Sequence, residues 1–438
     1  MTLMKKIFFS LFLLVTVSLP AQRLLTLEEA IATALKNNYD IQLSKNDSLV
    51  AALDYSYRNA VFLPRLNATA GTTWNNNDQK QTLADGTKRD QRIKSNNTNA
   101  SLNLNWTLFD GLKMFATRDK AEEFIRLGEL GIKNQVINTI ASVVNNYYNI
   151  VRQKQQLKAI EEQMSVSQVR VDIAQRKLEI GTGAKPDVLQ SRVDLNAQKA
   201  SQLEQQTDIL QLKDQLNQVM NVKDAPAYDV VDSIPLNVNI ALGDIQSGLE
   251  SANPSLLIAK KNIDIAGLTL KERKAERLPT VSFNSVYNFA RTKNQTVINP
   301  FSPLFNQTNG FNYGLTAAIP ILNGFNTRRL IKQAQLDIQY QQLVYDNQRT
   351  LLNVAVLNAF NEYEQQKKAL VLEEENILLA KENVSIALEV YRLGASTIIQ
   401  LREAQISLQE AYDRLIAARY ETKLAETELL RLKGDLVK

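Results

Sequence analysis

The chain has 438 residues, with 51 Lys+Arg against 46 Asp+Glu and neither Cys nor His. That composition excludes a disulfide framework, Cys-ligated zinc and a Cys nucleophile, and it removes the commonest general base near neutral pH. A net charge of +5 is too small for this length to point to nucleic acid. Without Cys, no N-terminal lipid anchor is expected either.

In chain order, Lys5 and Lys6 precede an apolar run from Ile7 to Val17, followed by Ser18-Leu19-Pro20-Ala21. A charged start, an apolar run too short to span a bilayer and a small residue at the cut predict a signal peptide over 1–21. The mature chain is expected to be exported, with a net charge of +3. No later stretch reaches about 18 consecutive apolar residues, so any membrane crossing must use strands.

After opening helices, Leu63-Pro64 leads into a first strand at about 65–75, where Leu66, Ala68, Ala70 and Trp74 alternate with polar residues. A polar loop is expected over 75–97. A second strand follows at about 99–109, because Ala100, Leu102, Leu104, Trp106 and Leu108 alternate with Ser101, Asn103, Asn105 and Thr107. Residues 132–180 then contain no Gly and no Pro, and Val136, Val143, Ile150, Leu157, Met164, Val171 and Leu178 recur every seven positions. A turn near 181–185 separates this run from a second helical one, 187–225.

The later half repeats the order. Strands are expected at about 280–290, from Val281, Phe283, Tyr287 and Phe289, and at about 311–321, from Phe311, Tyr313, Leu315, Ala317, Ile319 and Ile321. Residues 325–393 are free of Gly and Pro, with Val356, Tyr363, Leu370, Ile377, Val384 and Tyr391 in heptad register. Such a run would make a helix of about 100 Å. After a turn near 394–397 come two stripes. Leu401, Leu408, Leu415 and Leu429 form one, interrupted at Thr422, and Ala404, Ala411, Ala418, Ala425 and Leu432 form the other. Two apolar positions in a sustained heptad mark a left-handed coiled coil.

These halves are copies of one another. Asn38 and Leu63-Pro64 match Asn253 and Leu278-Pro279 at an offset of 215, while Gly111, Ala121, Gly181 and Leu195 match Gly324, Ala334, Gly394 and Leu408 at 213. The sequence is therefore read as a signal peptide, a first repeat over 22–223 and a second over 238–438. Short strands with one apolar and one polar face suit a transmembrane barrel, with Trp74, Trp106, Tyr287, Phe311 and Tyr313 as interfacial girdles. Four strands cannot close one alone, but three copies would give twelve.

Together these features resemble the TolC family of outer-membrane efflux proteins. LTLEEAIATALKNN, the two Leu-Pro pairs, LFDG and ILNG, and the turns IGTGAKPDVL and LGASTIIQL carry the resemblance. It implies a mainly α fold with transmembrane β: a homotrimer with a twelve-stranded β-barrel in the outer membrane, continued into the periplasm by a long coiled-coil α-helical barrel. It also implies a conduit, not an enzyme, with no cofactor or metal. The partners would be a periplasmic adaptor and an inner-membrane transporter, serving drug efflux or type I secretion. Position by position, it places adaptor docking at Gly181, Thr182, Gly183, Gly394, Ala395 and Ser396. The channel entrance falls at Gln400 and Glu403, and the latch between coils at Asp187 and Tyr391. Gln400 stands where the family usually has a carboxylate, and Ser396 where it has an arginine. The alternative carried beside this reading is an exported coiled-coil scaffold or adhesin with no channel.

Overall fold

A computed structural model of the chain describes residues 23–223, 228–237, 239–298 and 301–436. The expected signal peptide lies outside the described residues. In chain order the elements are β1 (Arg23–Leu25), α1 (Leu27–Asn37), α2 (Tyr39–Ser56), β2 (Arg65–Thr82), β3 (Lys88–Asp110), α3 (Lys113–Glu179) and α4 (Lys185–Met220). The second half supplies β4 (Tyr228–Val230), α5 (Leu242–Ala252), α6 (Pro254–Ala275), β5 (Thr280–Asn294), β6 (Phe305–Ala318), α7 (Asn326–Arg392) and α8 (Ile398–Lys433). No described helix is long and apolar enough to cross a membrane.

The described residues divide into two compact units: those within 23–46, 130–257 and 346–436 in one, those within 47–129 and 258–345 in the other. Each sequence repeat therefore contributes to both. In the first unit the heptad stripe of α7 is buried along its whole length, from Val356 and Tyr363 through Leu370, Ile377 and Val384 to Tyr391. The two stripes of α8 pack against its lower part, with Ala404, Leu408, Ala411, Leu415 and Ala418 in one apolar cluster with Leu370, Ile377 and Val384. Thr422, the break in the Leu stripe, is fully buried and donates its hydroxyl to the Ala418 carbonyl at 2.7 Å. The heptad thus tolerates a polar residue, because the helix satisfies it internally. A second cluster joins α3 and α4 through Val143, Tyr147, Ile150, Ile209, Leu216 and Met220.

The duplication extends to backbone conformation. Gly111, Leu112, Gly181 and Asn221 have positive φ, and so do Gly324, Phe325, Gly394 and Gly434, each 213 positions on. Among the described residues only Gly86 lacks such a counterpart. Leu112 and Phe325 hold this left-handed geometry although a side chain disfavours it, at the same point in each repeat, where a strand passes into a 67-residue helix.

In the second unit the strands form one sheet in the order β2-β3-β5-β6, with every neighbouring pair antiparallel. Much of the expected loop at 75–97 is strand: β2 continues to Thr82 and β3 starts at Lys88. Both faces of this extension are polar, so the alternation fades while the backbone ladder continues. Directly opposed charges hold it, Arg92 to Asp78 at 2.7 Å and Lys80 to Asp90 at 3.0 Å. Near its end β3 bulges between Thr107 and Phe109. The extra residue sets Phe109, in place of Leu108, across from Val281 on the same face, breaking the simple alternation.

Candidate functional site: a two-faced sheet and two helical tips

Cross-strand register sorts the sheet into two chemically distinct faces. Ala68, Leu102, Tyr287 and Phe311 form one row, while Trp106, Phe283 and Leu315 form another on the same face. Leu102, Trp106, Tyr287, Phe311 and Leu315 are exposed, and Tyr313 beside them is 73% accessible. Trp106 keeps its one polar atom satisfied by donating Nε1–H to the Phe62 carbonyl at 2.7 Å.

The opposite face is polar and bonded to itself. Asn105 Nδ2 donates to Asn284 Oδ1 at 2.6 Å, Asn284 Nδ2 donates to Thr316 Oγ1 at 3.2 Å, and the Thr69 and Ser101 hydroxyls are 2.8 Å apart. Among the described residues, β2 and β6 each pair on one side only. The sheet thus combines an apolar outer surface with two unpaired edges, an arrangement that water does not favour and that lipid forbids unless the edges are closed.

Each helical hairpin reverses at a glycine. At the first tip Gly181 has φ +78°, and the N–H groups of Thr182 and Gly183 both donate to the Lys177 carbonyl at 2.8 Å, closing the helix end. Gly183 is required by space: a Cβ there would lie 2.8 Å from the Lys177 Cβ and 2.9 Å from the Leu178 nitrogen. At the second tip Gly394 has φ +81°, and Ala395 N–H donates to the Val390 carbonyl at 3.0 Å. Gly181, Thr182, Gly394 and Ala395 are exposed, while Gly183 and Ser396 are half-buried.

The entrance candidates differ in what their side chains do. Thr397 and Gln400 form a capping box, with Gln400 N–H on Thr397 Oγ1 at 3.4 Å and Thr397 N–H on Gln400 Oε1 at 3.0 Å. The Gln400 amide therefore belongs to the helix start. Glu403 is exposed, and no described residue forms an ion pair with it, although its neighbour Arg402 reaches Asp194 at 3.6 Å.

The latch candidates come near one another without bonding. Tyr391 is buried, which raises its phenol above the ordinary value, with the Asp187 charge adding to the effect and Arg170 opposing it. Among the described residues no hydrogen bond reaches the Asp187 carboxylate. The residue that does hold Tyr391 is one that sequence reasoning missed. Lys177 places Nζ 4.0 Å from the centre of the Tyr391 ring and donates to the Tyr391 carbonyl at 2.5 Å.

One helical turn pair away, Arg170 is almost fully buried. It donates to Asp194 Oδ2 and Gln405 Oε1, each at 2.7 Å, and so joins α3, α4 and α8. Burial lowers its guanidinium below the ordinary value despite Asp194. A cavity of about 620 Å³ beside it is lined by Gln163, Arg170, Asp194, Gln198, Arg402 and Gln405, among others.

Comparison with known proteins places this architecture. The profile of one family, described as outer membrane efflux protein, matches residues 30–222 and 247–435. Outer membrane protein TolC of Vibrio cholerae serotype O1 is 22% identical over 390 residues, covering 86% of this chain and 83% of the relative. The alkaline protease secretion protein AprF of Pseudomonas aeruginosa is 21% identical over 432 residues, covering 94% and 87%. Among solved structures, CusC superimposes with a TM-score of 0.76 at 17% identity, covering 93% of this chain and 92% of CusC, and its description concerns transmembrane channel formation.

Proposed function

Because the chain belongs to the outer membrane efflux protein family, and so to the outer membrane, we propose that three copies close a twelve-stranded barrel and continue it as a helical tunnel in the periplasm. The observation that carries this reading is the four-stranded sheet with an apolar exposed face and two unpaired edges. Lipid accepts the face but not the edges. A copy on each side pairs them, and three copies, the number the family resemblance implies, give twelve strands.

Through this tunnel substrates pass outward from a periplasmic adaptor and an inner-membrane transporter, in drug efflux or type I secretion. The relatives support both uses, since one is named for efflux and another for protease secretion. The adaptor docks at Gly181, Thr182 and Gly183 and at Gly394, Ala395 and Ser396, which the fold leaves at helix reversals. Glu403, one per copy, rings the entrance with three carboxylates, while Gln400 adds no charge. Asp187 and Tyr391 sit where the coils meet.

Mass measurement of the detergent-solubilised protein tests the assembly, and the expected result is a trimer. A stable monomer would overturn it. In planar bilayers the trimer should conduct, and Glu403→Ala should lower cation preference by roughly a few-fold.

A further inference from the structure

Strand register also sorts the charges of the sheet. Asn96 of β3 faces Trp74 of β2 on one side and Lys293 of β5 on the other, and Lys293 faces Phe305 of β6. Side chains two apart along a strand share a face, so this row belongs to the face of Leu102, Tyr287 and Phe311. Arg291 lies one row nearer the apolar band, opposite Thr98, and Lys94 one row farther out, opposite Asn76. Three cations thus stand in successive rows of one face, beside two exposed rings.

Nothing in the fold neutralises them. Among the described residues none of the three forms an ion pair, and Arg291 Nε has no hydrogen-bond partner. The Arg291 guanidinium lies 5.6 Å from the centre of the Phe305 ring. Farther towards the β2–β3 turn the same face is built differently: Arg92 is opposed by Asp78 and Lys80 by Asp90, each in a salt bridge. The opposite face is neutral at this level, with Thr73, Asn97, Thr292 and Asn306 in register. The uncompensated charge is therefore one-sided.

Its height along the sheet fits a membrane boundary. From Phe283, beside Trp106, to Lys293 the strand rises about 3.4 Å per residue at a tilt of about 45°, a climb of roughly 25 Å. A barrel's apolar band is about as tall and carries an aromatic girdle at each rim. Lys and Arg at a rim keep their stems on apolar surface and extend the charge outward, into the layer of lipid phosphates. A phosphate has the sign these cations lack, and a guanidinium fork matches its geometry.

We propose that Arg291, Lys293 and Lys94, with Trp74 and Phe305 beside them, bind the phosphorylated headgroup of an outer-leaflet lipid. The cations take the phosphates, and the rings cover the boundary between headgroup and acyl chains. The patch lies at the end of the sheet remote from the strand–helix junctions, which is the outer side. This rests on the channel reading, which turns the face towards lipid, and it adds the class of lipid that the face selects.

The test is binding of diphosphorylated lipid A to the full-length protein in neutral detergent, measured by thermophoresis. Dephosphorylated lipid A and inorganic phosphate serve as separate probes. The diphosphorylated lipid should bind, more weakly as salt rises, and its dephosphorylated form should bind roughly ten-fold more weakly. Arg291→Gln, Lys293→Gln and Lys94→Gln should each cost roughly five-fold in affinity. Lys293→Arg should keep the parent affinity. Lys88→Gln, which removes the same charge near the β2–β3 turn, should also keep it. The three Gln variants are independent, so one that fails to fold leaves two that decide. Equal affinity for the dephosphorylated lipid, or parent affinity in the Gln variants, overturns the site. Inorganic phosphate that displaces the lipid mole for mole marks a free-anion site and overturns the lipid assignment. A monomer in the mass measurement overturns the channel reading instead, and the lipid affinities are read apart from it.

Discussion

Lys154 and Asp229 form a knot of charge whose chemistry has a definite sign. The Lys154 ammonium donates to Asp229 at 2.8 Å and lies 2.6 Å from Asp232. Burial alone would raise the Asp229 carboxyl, but Lys154, the Val230 N–H and Lys213 outweigh it and hold the group below its ordinary 3.8. A carboxyl depressed by folding stabilises fully above its unfolded value and loses that contribution as pH falls through the folded one. Asp229→Asn should therefore destabilise the fold at pH 7 by about 1 kcal/mol after screening, read as a lower melting temperature. Parent and variant should converge in acid, well below pH 4. Thermal melts across pH check this, and a gap that persists in acid would contradict it. Long-range polar contacts were not legible in the sequence. Lys177 and Arg170 lie in ordinary stretches of heptad helix, where a lone cation reads as solvated. Their partners are 214 and 235 positions away, and no local pattern encodes that meeting. The tips were legible, because a glycine that ends a long Gly-free run leaves few other interpretations.

At the level of elements, strand alternation translates directly into environment. Trp106 and Asn105 are neighbours on opposite faces, one in the apolar row and one in the bonded polar row. Trp106→Asp should impair outer-membrane assembly, since a charge on the apolar, lipid-facing row is destabilising. Asn105→Asp should assemble, because that face is already polar and wet. Quantifying trimer in outer-membrane fractions settles it, and equal assembly of the two variants would mean the faces are misassigned. Helices were the easier reading: stripes at Val356 through Tyr391 and at Leu401 through Leu432 became buried seams. Strand lengths were harder to read. Once both faces of β2 and β3 turned polar beyond Trp74, periodicity carried no signal, although cross-strand charge pairs kept the ladder intact. The bulge at Leu108 was also silent, since an apolar residue fits either face there.

Across the whole molecule the duplication decides what is structural. Asn38 caps α2 by accepting from the Asp40 and Ile41 N–H groups, and its amide donates to the Val219 carbonyl at 2.8 Å. Asn253 does the same for α6, accepting from Leu256 N–H and donating to the Leu432 carbonyl at 2.8 Å. Each joins two helix ends to the last turn of a third helix. Asn38→Ala and Asn253→Ala should each cost about 1–3 kcal/mol, read as similar drops in melting temperature; a large asymmetry would show that the copies have diverged in role. Lengths have diverged far less than sequences. The paired helices agree at 67 and 67 residues and at 36 and 36. The segment from Pro64 to Gly111 is two residues longer than that from Pro279 to Gly324. One residue added to a long helix turns everything beyond it by about 100° and faces the seam with the wrong side chains. One added to a strand hairpin is absorbed at a bulge or a loop. The helices act as a gauge cut twice to the same measure, while the hairpins are the adjustable part of the chain, free to vary where the molecule meets whatever lies outside it.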